Sequence, residues 1–293
     1  MNNKRRLFST LLCVAALTAG LFVSGCGSDK AGGIGSVVSS VVDGGSDEKA
    51  AAKLNTLIDA TNRFNGDNAT WGQNYADSLA KLKGGFQEGA IGRQPHYDTL
   101  KDALEKSKKE GSTFKEVDTE RDNVLNILNE LVPTFKDLKA YDDSKAYMND
   151  GGAKGKELAA KYVAQVEKFD AAYAKFNDAL NKANTEQTKK QIEKLKKDGK
   201  KGYAAAMEST LRLTTLVENV EKAPKNADKQ AVEKELNEIQ TLLKSINNDR
   251  GEVLVNSYNS VVGSVRQVLN DANENNLNDM IENFNNYIES YNN

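Results

Sequence analysis

The chain has 293 residues, with 40 lysines and arginines against 42 aspartates and glutamates and a formal charge of −2. That balance gives no electrostatic reason to bind nucleic acid. Only three prolines occur among abundant Ala, Lys, Glu, Asn and Leu, which favours helix over sheet.

Lys4, Arg5 and Arg6 precede a mostly apolar run from Leu7 to Val23, short of the roughly 20 residues a spanning helix needs. This is the layout of an export signal. The run ends in Leu21-Phe22-Val23-Ser24-Gly25-Cys26, which resembles a bacterial lipobox, with small residues before the cut and a cysteine whose thiol accepts diacylglycerol. Cys13 leaves with the signal, so Cys26 remains alone and no internal disulfide can form. The expectation is a cleaved signal peptide over 1–25, a lipidated Gly/Ser-rich tether over 26–46 and a helical domain over 47–293. Loss of Lys4, Arg5 and Arg6 takes the charge from −2 to −5. As a flexible coil the tether would reach ~25 Å. The membrane is the expected partner, through the lipid. Gly27 stands where aspartate would favour retention in the inner membrane, which points to the outer membrane in a host with two.

From Ser46, a plausible N-cap, the apolar residues fall into helical register. Leu54, Leu57, Ile58, Thr61 and Phe64 share a face, and Trp71, Tyr75, Leu79 and Leu82 continue it. Gly84-Gly85 and Gly89 to Pro95 read as a loop. A short helix around Leu100 and Leu104 closes near Gly111, and the next runs through Val117, Val124, Leu128 and Leu131, with Pro133 expected to kink or end it. Ala159, Tyr162, Val166, Phe169, Tyr173, Phe176 and Leu180 follow in alternating steps of three and four, the seam of a coiled coil or antiparallel bundle. Similar stripes run through Tyr203, Met207, Leu211, Thr214 and Val217, through Val232, Leu236, Ile239, Leu243 and Ile246, and through Leu254, Tyr258, Val261, Val265 and Leu269. Leu277, Ile281, Phe284 and Ile288 make the last. No period-two alternation is sustained. The predicted fold is all-α, an elongated antiparallel bundle of about seven helices behind the tether.

The segment from Tyr141 through Lys145, Tyr147 and Asp150 to Lys154-Gly155-Lys156-Glu157-Leu158 resembles the YiiG-like family of uncharacterised bacterial lipoproteins. Leu54-Asn55-Thr56-Leu57-Ile58 and the stretch from Phe284 to Asn292 carry the same resemblance. It implies a helical, lipid-anchored domain of unknown function and transfers no catalytic residue. Ala159 stands where the resemblance implies a histidine, which weakens a metal-binding role there. Read without the family, Gly151-Gly152 breaks the chain between two helices, Asp150 caps the second, and Tyr141 and Tyr147 pack over the junction.

The remaining candidates each depart from the motif they suggest. Gly151 to Lys156 has three residues between its glycines where a phosphate loop needs four, and Glu157 where it needs Ser or Thr. Asp271, Asn273, Asn275, Asp279 and Glu282 occupy positions of a calcium loop, but Asn276 replaces the turn glycine and Asn278 the apolar residue. The preferred reading there is an Asx-rich turn in which Asn276 caps the last helix. His96 is the single histidine, so no paired-histidine zinc or iron site can form. Lys189, Lys190, Lys194, Lys196, Lys197, Lys200 and Lys201 read as a solvated face or, less simply, a contact for anionic headgroups. No cofactor is implied. The function expected is a non-enzymatic envelope lipoprotein that binds a partner protein or acts structurally. The alternative is a small-ligand binder with an interhelical pocket lined by Tyr162, Phe169, Tyr173 or Tyr203.

Overall fold

The computed structural model describes residues 46–292 apart from 70, 71, 93, 112, 113, 247 and 248. Cys26, the signal and most of the tether lie outside the described residues. Among the described residues there are ten helices and no strand. They are α1 (Ser46–Ala69), α2 (Gly72–Lys83), α3 (Tyr97–Lys109), α4 (Lys115–Asp143), α5 (Tyr147–Asp150), α6 (Ala153–Lys197), α7 (Lys201–Lys222), α8 (Lys229–Lys244), α9 (Asp249–Asn270) and α10 (Glu274–Asn292). The fold is an all-α bundle. The count exceeds the seven expected partly because α5 is a single turn.

The helical region divides into two compact units, residues 53–183 and residues 184–293. In the first, the seam of α6 is buried throughout, from Ala159 and Tyr162 to Phe176 and Leu180. Leu54, Leu57, Ile58 and Phe64 of α1 and Val117, Val124, Leu128 and Leu131 of α4 join the same core. Each such side chain contributes about 1.5–3 kcal/mol on leaving water. The rings interlock: Phe169 stacks on Tyr173 at 5.2 Å, and Phe64 meets both edge-on at 5.9 and 5.3 Å.

Pro133 neither ends nor interrupts α4, which continues to Asp143. Pro133 and Asn129, whose carbonyl loses its helix partner there, are both exposed, so water can satisfy that carbonyl. α6 likewise runs on past Leu180 to Lys197 and closes where Gly199, at φ +75°, lets Lys200 N–H reach the Leu195 carbonyl at 2.9 Å.

In the second unit α7 is buried on nearly every side, from Ala204 to Glu221, and packs against α8, α9 and α10. Arg212 of α7 is bidentate to Glu235 of α8 at 2.7 Å, and Arg266 of α9 is bidentate to Glu233. The register of α10 differs from the expected stripe. Met280, Phe284, Tyr287 and Tyr291 are the buried set, while Leu277, Ile281 and Ile288 are half-buried. Tyrosine outcompetes isoleucine because its ring fills more of the core and its hydroxyl finds a partner, Thr210 Oγ1, at 2.9 Å.

Candidate functional site

Two polar constructions in the first unit stand out from the apolar packing, and one loop joins them. The first is the corner between α4 and α6. α4 closes with Ala146 N–H on the Tyr141 carbonyl at 3.1 Å and Lys145 N–H on the Asp142 carbonyl at 2.9 Å. That closure forces Lys145 into the left-handed region at φ 53°, where other L residues are strained. Lys145→Gly is therefore expected to raise stability by about 0.5–1 kcal/mol, read as a higher denaturant midpoint at unchanged slope.

Beyond α5, Gly151 and Gly152 turn the chain into α6, and Asp150 caps the new helix as expected. Its carboxylate accepts from Gly152 N–H at 2.9 Å and Lys154 N–H at 3.1 Å, and from the Tyr141 hydroxyl. The Tyr141 hydroxyl foremost, then these backbone donors, hold the Asp150 carboxyl below its ordinary range against the effect of burial. Phe86 wedges into this corner, 5.2 Å from the Tyr141 ring and 5.8 Å from Tyr147. It lies against the bare face of Gly155, where a Cβ would fall 2.6 Å from Phe86 Cγ and 2.6 Å from Tyr141 Cε1. The glycine of the Lys-Gly-Lys segment is thus a packing requirement, and the phosphate-loop pattern around it is a helix corner.

The second construction is a cluster of phenols. The hydroxyls of Tyr75 (α2) and Tyr97 (α3) are 2.8 Å apart, and that of Tyr162 (α6) donates to Gln94 Oε1. Burial first, then the neighbouring phenols and Asp170, push the Tyr97 hydroxyl far above its ordinary range. Burial likewise dominates at Tyr75 and Tyr162, so all three stay neutral at physiological pH. Asp170, one residue beyond Phe169, is half-buried. Burial raises its carboxyl to about 6, Lys83 pulling it down and Glu167 pushing it further up.

The segment 84–92 links the two constructions. Its beginning carries Phe86 into the corner, and Gly89 N–H makes a long contact of 3.4 Å with Asp142. Its end is gathered by Ser78, whose buried hydroxyl donates to the Ala90 carbonyl at 2.7 Å and accepts from Gly92 N–H at 2.9 Å. Gln94 Nε2 reaches the same oxygen at 3.2 Å. Through Gln94, which bonds both the Tyr162 hydroxyl and Ser78, one phenol of the cluster and the end of the strap share a hydrogen-bonded chain.

A family model described as a protein of unknown function, DUF3829, matches residues 48–283. The chain belongs to the DUF3829 family. No curated protein and no solved structure matches it. The family match spans both units of this DUF3829 chain, so corner, strap and phenol cluster all lie inside it.

The other residues singled out by sequence are scattered over this DUF3829 fold. Tyr162, Phe169 and Tyr173 come together, but as packed rings, whereas Tyr203 is half-buried on α7 in the other unit. Of the calcium-loop residues, only Asp271 and Asn273 lie before α10, and Asn275, Asp279 and Glu282 ride on the helix. The cap of α10 is Asn273, whose Oδ1 accepts from Asn276 N–H at 2.9 Å, and not Asn276, whose side chain donates back to the Asp271 carbonyl at 2.7 Å. Asn273 Nδ2 also holds Asp271 Oδ2 at 2.7 Å. Among the described residues no group of three or more His, Cys, Asp or Glu could hold a metal ion. His96 is exposed before α3. In the lysine run, Lys196 pairs with Glu193 and with Glu208 at 2.9 Å. No described helix is long and apolar enough to cross a membrane.

The pieces that sequence reasoning passed over are Ser78, Gln94, Tyr97 and Asp170. The available signal was Asp170 itself, a carboxylate set beside the aromatic seam at the edge of the core face.

Proposed function

We propose that this chain is an exported, lipid-anchored envelope protein without enzymatic activity, whose helical units bind a partner protein or serve a structural role. The observation that supports the reading is the order Lys4-Arg5-Arg6, an apolar run, then Val23-Ser24-Gly25-Cys26. The packing of the interior is compatible with it: Tyr162, Phe169 and Tyr173 lie in the first unit's core against other rings, and the hydroxyls of Tyr75 and Tyr97 bond to each other while that of Tyr162 bonds to Gln94. Two or three acyl chains on Cys26 would give stable anchoring, where one alone would be marginal.

Cys26→Ser is expected to abolish incorporation of labelled fatty acid in growing cells, while the labelled parent partitions into membranes. Undiminished label in the variant would sink the anchor assignment. Cross-linking in living cells with Cys26 intact should then capture an envelope protein. Stabilisation by an envelope metabolite in a thermal-shift screen would replace the partner-binding role with small-ligand binding.

A further inference from the structure

We propose that the lysine-rich turn between α6 and α7 seats on an anionic membrane surface, drawn there by the phosphates of lipid headgroups. From Lys189 to Lys201 the chain carries seven lysines against two acids, Glu193 and Asp198. The rest of the chain after the signal holds 30 basic residues against 40 acidic ones, so this is a basic spot on an acidic protein. Buried Ile192 and Leu195 hold the end of α6, and Gly199 turns the chain into α7, so the lysines are displayed on ordered helix. Lys189, Lys190, Lys196, Lys197 and Lys201 are exposed. Among the described residues, Lys196 is the one lysine of the seven in an ion pair, with Glu193 and Glu208. The other like charges repel one another, and a surface of opposite sign relieves that repulsion.

The turn also lies at the end of α6 beside which the tether enters. Phe64, late in α1, meets Phe169 and Tyr173 of α6 at 5.9 and 5.3 Å. Further back on α1, Lys53 Nζ is 3.2 Å from where a Cβ on Gly111 would fall, and Lys182 of α6 bonds Glu116 at 2.7 Å. Lys53 and Lys182 thus meet the same connection between α3 and α4, and the two long helices run antiparallel. α1 reaches its start, Ser46, seven residues before Lys53, and α6 its end, Lys197, fifteen residues after Lys182. At 1.5 Å per residue those two ends come within about 15 Å of each other along the helix direction, whereas the start of α6 is ~65 Å away. Both ends belong to the second unit. The start of α1 adds no net charge, since Lys49 and Lys53 offset Asp47 and Glu48. A lipid on Cys26 with a tether reaching ~25 Å would therefore hold the lysine turn, and not the far end of α6, next to the membrane. The charge stands whatever holds the chain, while the choice of a membrane as its partner rests on the lipid-anchor reading.

Each lysine brought to an anionic surface adds about fivefold to partitioning, so the five exposed ones suffice to keep the turn seated. Amine acylation of the full chain, read residue by residue by mass spectrometry, tests this. The chain is held on vesicles of phosphatidylcholine alone or of phosphatidylcholine mixed equally with phosphatidylglycerol. Lys189, Lys190, Lys196, Lys197 and Lys201 should react at least about fivefold more slowly on the mixed vesicles. Lys161, Lys168 and Lys175, exposed on the same helix, should react alike on both, and the slowing should vanish at high salt.

With Lys190→Gln, Lys197→Gln and Lys201→Gln combined, Lys189 and Lys196 should regain the rate seen on phosphatidylcholine. Replacing Lys161, Lys168 and Lys175 by glutamine changes the net charge equally and should leave the slowing at the turn intact. Equal rates at the turn on both vesicles, or slowing as strong at Lys161, Lys168 and Lys175, would overturn the proposal. So would slowing by soluble poly(glycerol phosphate) but not by the vesicles. If fatty-acid label on Cys26 is absent while the slowing persists, the anchor reading falls and the lysine turn stands.

Discussion

Replacing Phe169 by alanine is expected to cost about 3–5 kcal/mol, among the largest effects of any single truncation in the first unit. Phe169 is 2% exposed and its ring meets three others, Phe64 at 5.9 Å, Tyr97 at 5.0 Å and Tyr173 at 5.2 Å. These rings come from α1, α3 and α6, so the cavity left by alanine would have walls on three helices. None can close it without drawing its own helix inward. Denaturant unfolding would measure the loss as a lower midpoint. A cost below about 1 kcal/mol would mean that the rings line a space that already yields, which is what a ligand pocket between helices requires. The measurement therefore also bears on the small-ligand alternative.

Gly155→Ala is expected to destabilise by about 1–2 kcal/mol, and its sign is the informative part. Alanine is favoured over glycine in a helix by at most about 1 kcal/mol, less in the first turn of α6 where Gly155 lies, so helix propensity alone predicts stabilisation. The added Cβ would lie 2.6 Å from Phe86 and from Tyr141, and overpacking of that kind costs about 1–3 kcal/mol or more. Tyr141 is anchored by its bond to Asp150, so Phe86 is the group that must leave the corner. Adding Phe86→Ala should remove most of the penalty and leave the propensity gain exposed. A double-mutant cycle would then give a coupling above about 1 kcal/mol. Independent effects at the two positions would mean that the helix itself shifts to admit the methyl group.

The helices were legible because their burial follows a one-dimensional pattern. The seam from Ala159 to Leu180 is buried at every predicted position, and the α8 and α9 stripes from Leu236 to Leu269 hold as well. The α10 register was not, because Leu277, Ile281 and Ile288 compete on hydrophobicity with Tyr287 and Tyr291, and the choice depends on a hydroxyl partner, Thr210, supplied by another helix. Pro133 misleads for a similar reason, since its effect on a helix depends on whether the orphaned carbonyl faces water. The corner could be read from Asp150 and the glycine pair because capping is local. The phenol cluster could not. Tyr75, Gln94, Tyr97 and Tyr162 are brought together by tertiary packing, and a tyrosine in a helical stripe looks the same whether its hydroxyl ends in solvent or against another phenol.

The hydroxyls buried in both units have a consequence for how the helices can be aligned. Leucine against leucine is nearly indifferent to a slide of one turn, since either position offers a similar surface. Tyr173 bonded to Asn65, Tyr287 to Thr210, and Tyr258 to the Leu236 carbonyl are not indifferent. A slip of one turn between any of these helix pairs would strand a buried donor or acceptor, at about 1–3 kcal/mol each. These tyrosines act as index marks that select one alignment of the bundle from several that hydrophobic burial alone would tolerate.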